Sequence, residues 1–107
     1  MVVAVDSGHV VHPDAVTAQI EGGVIWGLSA LMHEEITIDK GRVVQSNFTD
    51  YPVLRLAHTP KIEPIIMPSG GFWGGIGEPP IGAVIPALTN ALFAAAGTRV
   101  RSMPLKT

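Results

Sequence analysis

The chain of 107 residues contains no cysteine. This absence excludes a disulfide scaffold, a zinc site with cysteine ligands and an iron–sulfur cluster bound by the chain itself. Charged residues are also scarce: they make up 15% of the sequence, compared with about 25% in an average globular protein. Seven basic and nine acidic residues leave a formal net charge of −2, which predicts no nucleic-acid partner and no attraction to an anionic membrane.

Long apolar runs are absent as well. No stretch reaches the roughly 18 uninterrupted apolar residues that a membrane span requires. The start of the chain also lacks the basic and apolar regions of a secretory signal peptide. The sequence therefore predicts neither a membrane span nor a signal peptide.

Hydrophobic residues are plentiful, at 47% of the chain, which excludes an intrinsically disordered protein. The length predicts a single domain, residues 1–107. So small a body has a high ratio of surface to volume and normally needs a charged surface. The low charge therefore indicates that part of this surface is covered by something else, and that the chain is a piece of a larger protein.

The predicted elements follow the order β-α-β-β-β-α. Apolar periodicity and turn residues predict a strand at residues 1–6, a helix at 15–32 and a hairpin at 35–45. A further strand follows at 62–67, and a second helix at 81–96. Gly41 suits the tight position of the hairpin turn, and Gly97 suits the end of the second helix. We expect an α+β fold with two helices packed on one face of a small, mostly antiparallel sheet.

Both helices have unusual compositions. Gly22, Gly23 and Gly27 lie inside the first helix, where each costs up to about 1 kcal/mol relative to alanine. This cost predicts that a neighbouring backbone or a ligand approaches the helix closely. The second helix is apolar nearly all round, which predicts burial on every side.

The segment between the last strand and the second helix, residues 68–80, is rich in glycine and proline. Loops of this length are uncommon in a compact domain and are often functional. Glu78 is its one ionisable residue, and desolvation among apolar neighbours would suit a carboxylate to general-base catalysis. Alternatively, Glu78 stabilises the start of the following helix, and the residues alone favour that interpretation.

Gln19 is a second candidate, because its amide offers a donor and an acceptor to any ligand that the glycines admit. The alternative is a helix-packing notch in which Gln19 and Glu21 are solvated, and the residues alone favour it. Four histidines are scattered without metal-binding spacing: His9, His12, His33 and His58. We expect no metal ion to be bound directly by this chain.

Three segments carry a family resemblance. They read AVDSGHVVHPDAVTAQIEGGVIWGLSALMHEEITIDKGRVVQSNFTDYPVLR, GGIGEPP and PALTNALFAAAGTRVRSMPL. Together they resemble the C-terminal part of the molybdenum-binding large subunit of the xanthine oxidase and aldehyde oxidoreductase family, with the isoquinoline 1-oxidoreductase beta subunit as the nearest branch. The resemblance extends from Val2 to Leu105.

The resemblance implies a bacterial hydroxylase that oxidises an aldehyde or N-heterocycle with oxygen derived from water. Its molybdenum is held by molybdopterin, often as the cytosine dinucleotide, and its electrons leave through [2Fe–2S] clusters on a small partner subunit. This chain would then be the C-terminal part of a molybdopterin-binding domain, with the remainder of the large subunit as its partner. The chain alone would be inactive and without cofactor, in a protein of the cytoplasm or the periplasm.

The resemblance also implies roles for individual residues. The family's G-x-GE-P loop reads GIGEP here, which makes Glu78 the general base at the Mo-bound hydroxyl. The family's Q-x-EGG segment makes Gln19 a hydrogen-bonding partner of the pterin. The residues implied to contact the cofactor are Gln19, Gly75, Ile76 and Gly77. Ser7 stands where the family often has cysteine, and His12 where asparagine is common.

A competing hypothesis involves neither cofactor nor catalysis. The chain would be a standalone α+β domain that self-associates into a homo-oligomer. Its low charge and its apolar second helix would then form the interface between copies.

Overall fold

A computed structural model describes residues 1–67 and 69–105 of the chain. The elements, in chain order, are strand β1 (Val2–Val5), helix α1 (Pro13–Met32), strands β2 (Ile38–Asp39) and β3 (Arg42–Val43), a 3-10 turn (Leu56–His58), strand β4 (Glu63–Ile66) and helix α2 (Pro79–Ala96). The α+β class and the order β-α-β-β-β-α are therefore confirmed. Pro68, the first residue of the predicted loop, lies outside the described residues.

The prediction of one mostly antiparallel sheet is wrong in detail, because the strands form two separate pairs. Strands β1 and β4 are parallel, with Val2 opposite Glu63 and Val5 opposite Ile66. A long connection that includes a helix separates them, and such a crossover is what a parallel pair requires. Strands β2 and β3 form a short antiparallel hairpin.

The hairpin turn has the backbone that its sequence predicts. Lys40 has a φ of 49° and Gly41 a φ of 77°. Positive φ at both central residues is the mark of the type I′ turn, whose twist matches that of the flanking strands. The strands themselves are two residues each and shorter than the sequence suggested.

Helix α1 forms the core of the chain by packing against α2. Val24 and Leu28 are buried together with Val84 of α2. A Cβ atom on Gly27 would collide with the Val84 side chain, and one on Gly23 would lie 2.9 Å from the Cβ atom of Pro80. The prediction of close approach is thus confirmed for these two glycines, and the approaching group is the second helix.

Helix α2 is less buried than its composition predicts. Pro80 and Val84 are its buried residues, while Phe93 remains 39% exposed. The expectation of burial on every side is therefore wrong for the described residues. The predicted C-cap is confirmed, because Gly97 has a φ of 69° and its N–H donates to the carbonyl of Phe93.

Both helices are long and apolar enough to cross a membrane when judged by length and mean hydropathy alone. Neither helix is an uninterrupted apolar run, because small and polar residues interrupt both. Core helices pass the same test, and α1 has that position here, with Ile20, Val24 and Leu31 fully buried.

Candidate functional site

The glycine-rich loop passes against the end of β1. The N–H of Gly74 donates to the carbonyl oxygen of Ser7 over 3.0 Å. Gly8 has a φ of 75°, and a Cβ atom there would collide with the carbonyl oxygen of Phe72. Gly8 thus combines a left-handed backbone with a close contact, and both require glycine.

Asp6 stabilises the start of this loop through two hydrogen bonds. Its Oδ1 accepts a hydrogen bond from the N–H of Gly8 at 2.8 Å and another from the Oγ of Ser69 at 2.9 Å. The Gly8 bond, followed by the Ser69 bond, lowers the pKa of the Asp6 carboxyl. This role was not predicted, although an aspartate two residues before a glycine is a familiar turn signal.

The lowered pKa of Asp6 predicts a pH dependence of stability. A carboxyl whose pKa is lower in the folded state contributes stability above its unfolded pKa, near 3.9, and loses it as the pH falls through the folded value. We therefore expect Asp6→Asn to lower the Tm at pH 7 and to lower it less at pH 3. Thermal melts at the two pH values measure this, and an equal Tm difference at both would contradict it.

A cleft of about 260 Å³ opens between the loop and the start of α1. Its walls are formed by Ser7, His9, Val10, Val11, His12, Ala15, Val16, Gln19, Trp73, Gly74 and Ile76. Gly77 also borders Gln19, since a Cβ atom on Gly77 would lie 4.0 Å from the Gln19 Oε1. The structure thus brings together two segments that lie almost 60 residues apart in the sequence, around Gln19 and around Gly77.

Two histidines, His9 and His12, line the cleft. The Nδ1 of His12 accepts a hydrogen bond from the N–H of Ala15 at 3.1 Å, so His12 is the N-cap of α1. The ring of His9 stacks on that of Trp73, with centroids 5.6 Å apart and an interplanar angle of 13°. Both histidines therefore have structural partners within the chain.

Glu78 lies at the N-cap position of α2, immediately after the loop. Its carbonyl accepts from the N–H of Ile81 at 2.9 Å, but its side chain makes no capping hydrogen bond. The side chain is exposed, so this chain does not supply the desolvation that the sequence predicted. Of the other predicted residues, Ile76 lines the cleft, whereas Gly75 has open space around its Cβ position.

The part of the chain that the structure describes contains no cluster of side chains that could hold a metal ion. No group of three or more histidine, cysteine, aspartate or glutamate residues is placed to hold an ion within residues 1–67 and 69–105. The polar groups that line the cleft are neutral amide and hydroxyl groups together with two imidazoles. Such a set offers hydrogen-bond donors and acceptors to an organic ligand.

Comparison with known proteins gives a consistent result. Residues 1–60 match a family model described as a molybdopterin cofactor-binding domain. The chain is 42% identical to a membrane-bound aldehyde dehydrogenase [pyrroloquinoline-quinone] of Gluconacetobacter polyoxogenes, over 99% of this chain and 14% of the relative. It is 39% identical to isoquinoline 1-oxidoreductase subunit beta of Brevundimonas diminuta, over 96% of this chain and 13% of the relative.

Solved structures show the same fold. Quinoline 2-oxidoreductase from Pseudomonas putida 86 superimposes with a TM-score of 0.81 at 23% identity, over 96% of this chain and 14% of that one. A Cu,Mo-CO dehydrogenase superimposes with a TM-score of 0.78 at 25% identity, over 90% of this chain and 13% of that one. This chain thus spans about one seventh of the length of the proteins that it matches.

Proposed function

Because the chain belongs to the molybdopterin cofactor-binding domain family, we propose that it is the C-terminal part of the large subunit of a molybdenum hydroxylase. The proposed enzyme oxidises an aldehyde or an N-heterocycle. The family resemblance found in the sequence is confirmed, while the reaction, the substrate and the role of each residue remain proposals. These proposals rest on the cleft at which Gln19 and the glycine-rich loop meet.

The residues at the cleft fit a pterin cofactor. The Gln19 amide can donate and accept at once, which matches the hydrogen-bonding edge of a pterin ring. The proposal assigns no metal ligand to this chain, because the cofactor itself would hold the molybdenum. When bound, that cofactor supplies the redox centre for hydroxylation with oxygen derived from water.

Glu78 is the proposed general base. Gly77 precedes it and borders Gln19, so the carboxylate follows directly on the loop segment nearest the proposed cofactor contact. Its side chain is exposed and forms no capping bond to α2, which leaves its oxygens able to accept a proton. Pro79 and Pro80 restrict the backbone immediately after it, which limits the entropy lost on positioning the side chain.

The proposal also covers the form of the cofactor and the redox partner. We propose the cytosine dinucleotide form of molybdopterin and a small subunit that carries [2Fe–2S] clusters. One relative is named for a different cofactor, pyrroloquinoline-quinone. The family model that matches the chain itself names molybdopterin. The isoquinoline 1-oxidoreductase relative favours an N-heterocycle substrate, and the aldehyde dehydrogenase relative favours an aldehyde.

A direct test measures the complete subunit together with its redox partner. We expect about one molybdenum and one pterin per large subunit, and turnover of at least one compound in a panel of aldehydes and N-heterocycles. Molybdenum is measured by elemental analysis, and turnover with an artificial electron acceptor. A complete subunit that contains neither molybdenum nor pterin would overturn the proposed function.

Replacing Gln19 with alanine is expected to lower cofactor occupancy while the fold survives. The lost hydrogen bond contributes about 0.5–1.5 kcal/mol, and more if a buried partner is left unpaired. The readout is molybdenum per protein, with the Tm as a measure of the fold. Glu21→Ala is the matched control, because Glu21 lies in the same helix but outside the cleft. Full occupancy in Gln19→Ala would remove Gln19 from the site.

Self-association without a cofactor is the second candidate function, and the exposed apolar surface of α2 favours it. Under the main proposal, the same surface is covered by the remainder of the large subunit. We expect the 107-residue chain alone to purify without molybdenum, to turn over no aldehyde and to form dimers or larger species. Elemental analysis and light scattering measure this; stoichiometric metal or a clean monomer at high concentration would contradict it.

A further inference from the structure

Ser7 carries a buried hydroxyl group that has no hydrogen-bond partner among residues 1–67 and 69–105. The residue is 6% exposed, and its Oγ forms no hydrogen bond with the described residues. Another buried serine shows the usual arrangement: Ser29 is 4% exposed, and its Oγ accepts from the N–H of Leu54 at 2.9 Å. Buried polar groups are nearly always paired in native proteins, so an unpaired one needs an explanation.

The position of Ser7 offers that explanation. Ser7 lines the same cleft as Gln19, and its carbonyl holds the glycine-rich loop through Gly74. Its neighbours in the wall, His9 and Trp73, are both exposed, and Trp73 retains 65% of its accessible surface. The Ser7 Oγ itself has almost no accessible surface, so a ligand in the cleft reaches the hydroxyl when these exposed wall residues shift.

The chemistry of the cleft selects the kind of ligand. None of the residues that line it is lysine, arginine, aspartate or glutamate, so it provides no fixed charge for a phosphate group. Ser7 and Gln19 each provide a donor and an acceptor, which suits the edge of a neutral heterocycle. The volume of about 260 Å³ is below the roughly 300–1,000 Å³ of pockets that hold a whole drug-sized ligand. The cleft therefore accommodates part of a large cofactor.

We infer that the Ser7 hydroxyl is a binding group for the pterin ring of the cofactor and forms a hydrogen bond to its polar edge beside Gln19. This inference rests on the proposed function. It explains the unpaired hydroxyl as a group whose partner is the ligand. Ser7 and Gln19 then bind the heterocycle from two places, the turn that follows β1 and the first half of α1.

The test compares Ser7→Ala with Ser29→Ala in the complete subunit, prepared both without cofactor, in a host that makes no molybdopterin, and with it. In the cofactor-free protein, Ser7→Ala should leave the Tm unchanged or raise it, because an unpaired buried hydroxyl is removed. Ser29→Ala should lower the Tm, because it leaves the Leu54 N–H unpaired. In the loaded protein, Ser7→Ala should lose molybdenum and pterin about two- to tenfold faster during dialysis, the range for one hydrogen bond.

Two results would overturn the inference. The first is a lower Tm of cofactor-free Ser7→Ala, comparable to that of Ser29→Ala, since the hydroxyl would then have a partner within the protein. The second is cofactor loss at the wild-type rate. If Gln19→Ala releases cofactor faster and Ser7→Ala does not, the inference fails while the proposed function stands. A wild-type subunit without molybdenum or pterin would instead reject the proposed function itself.

Discussion

Replacing Glu78 with glutamine is expected to lower the kcat of the complete enzyme by about 10²–10⁴-fold, while its molybdenum content stays near the wild-type value. Glutamine keeps the shape of the side chain but cannot accept the proton that a general base removes. The exposed carboxylate makes no capping bond to α2, so its removal should change the Tm little. Kinetics, elemental analysis and thermal melts on this one variant measure all three quantities.

The alternative interpretation of Glu78 gives the opposite pattern. If the carboxylate only stabilises the start of α2, the substitution should cost about 1 kcal/mol of stability and leave turnover almost intact. Glu63→Gln is the matched control, because Glu63 is exposed on β4, outside the glycine-rich loop. Its kcat should equal that of the wild type. A Glu78→Gln enzyme with normal kcat and a lower Tm would assign Glu78 to the helix rather than to the reaction.

Local features of the fold were predictable because short stretches of sequence determine them. The hairpin turn at Lys40 and Gly41 and the helix end at Gly97 each depend on a backbone conformation that few residues adopt without strain. The two helices follow from apolar spacing over three to five turns. Pairing between distant strands is not encoded locally, and the parallel arrangement of β1 and β4 was missed for that reason.

The surroundings of the site could be predicted only in part. The family motifs pointed to Gln19 and to the loop that ends at Glu78, and the structure places Gln19 beside Gly77. The role of Asp6 depends on Ser69, which is 63 residues away in the sequence, and the unpaired hydroxyl of Ser7 is visible only once the cleft has formed. The Gly8 partner of Asp6 follows from a local turn pattern, whereas its Ser69 partner and the surroundings of Ser7 depend on contacts between distant segments.

The error about α2 has a different origin. Its apolar composition indicates that the helix favours a nonpolar environment, but among the described residues burial is confined to Pro80 and Val84, which pack against α1 and its neighbours. Composition predicts how much of a helix should be buried and does not identify what buries it. Under the two proposals, the exposed side of α2 is covered either by the rest of a large subunit or by a second copy of the chain.

Replacing Gly27 with alanine is expected to destabilise the protein by about 1–3 kcal/mol, the usual cost of overpacking a core. The added Cβ would collide with the side chain of Val84 and lie 3.0 Å from the carbonyl oxygen of Ile81. Valine is stiff at χ1, and a backbone carbonyl cannot move alone, so α2 must shift away from α1. Since α2 begins directly after Glu78, the same shift should displace the proposed base and lower kcat. Thermal melts and kinetics of the complete enzyme measure both effects.

Gly22 offers a matched control five residues earlier in the same helix. No atom lies within 4 Å of the position of its Cβ, so Gly22→Ala adds a methyl group in open space. It should gain up to about 1 kcal/mol from the higher helix propensity of alanine. Both variants make the same chemical change in α1, and the helix propensity favours alanine in each. A lower Tm for Gly27→Ala together with a higher Tm for Gly22→Ala therefore isolates the contact with α2, whereas equal increases would show that the two helices separate without cost.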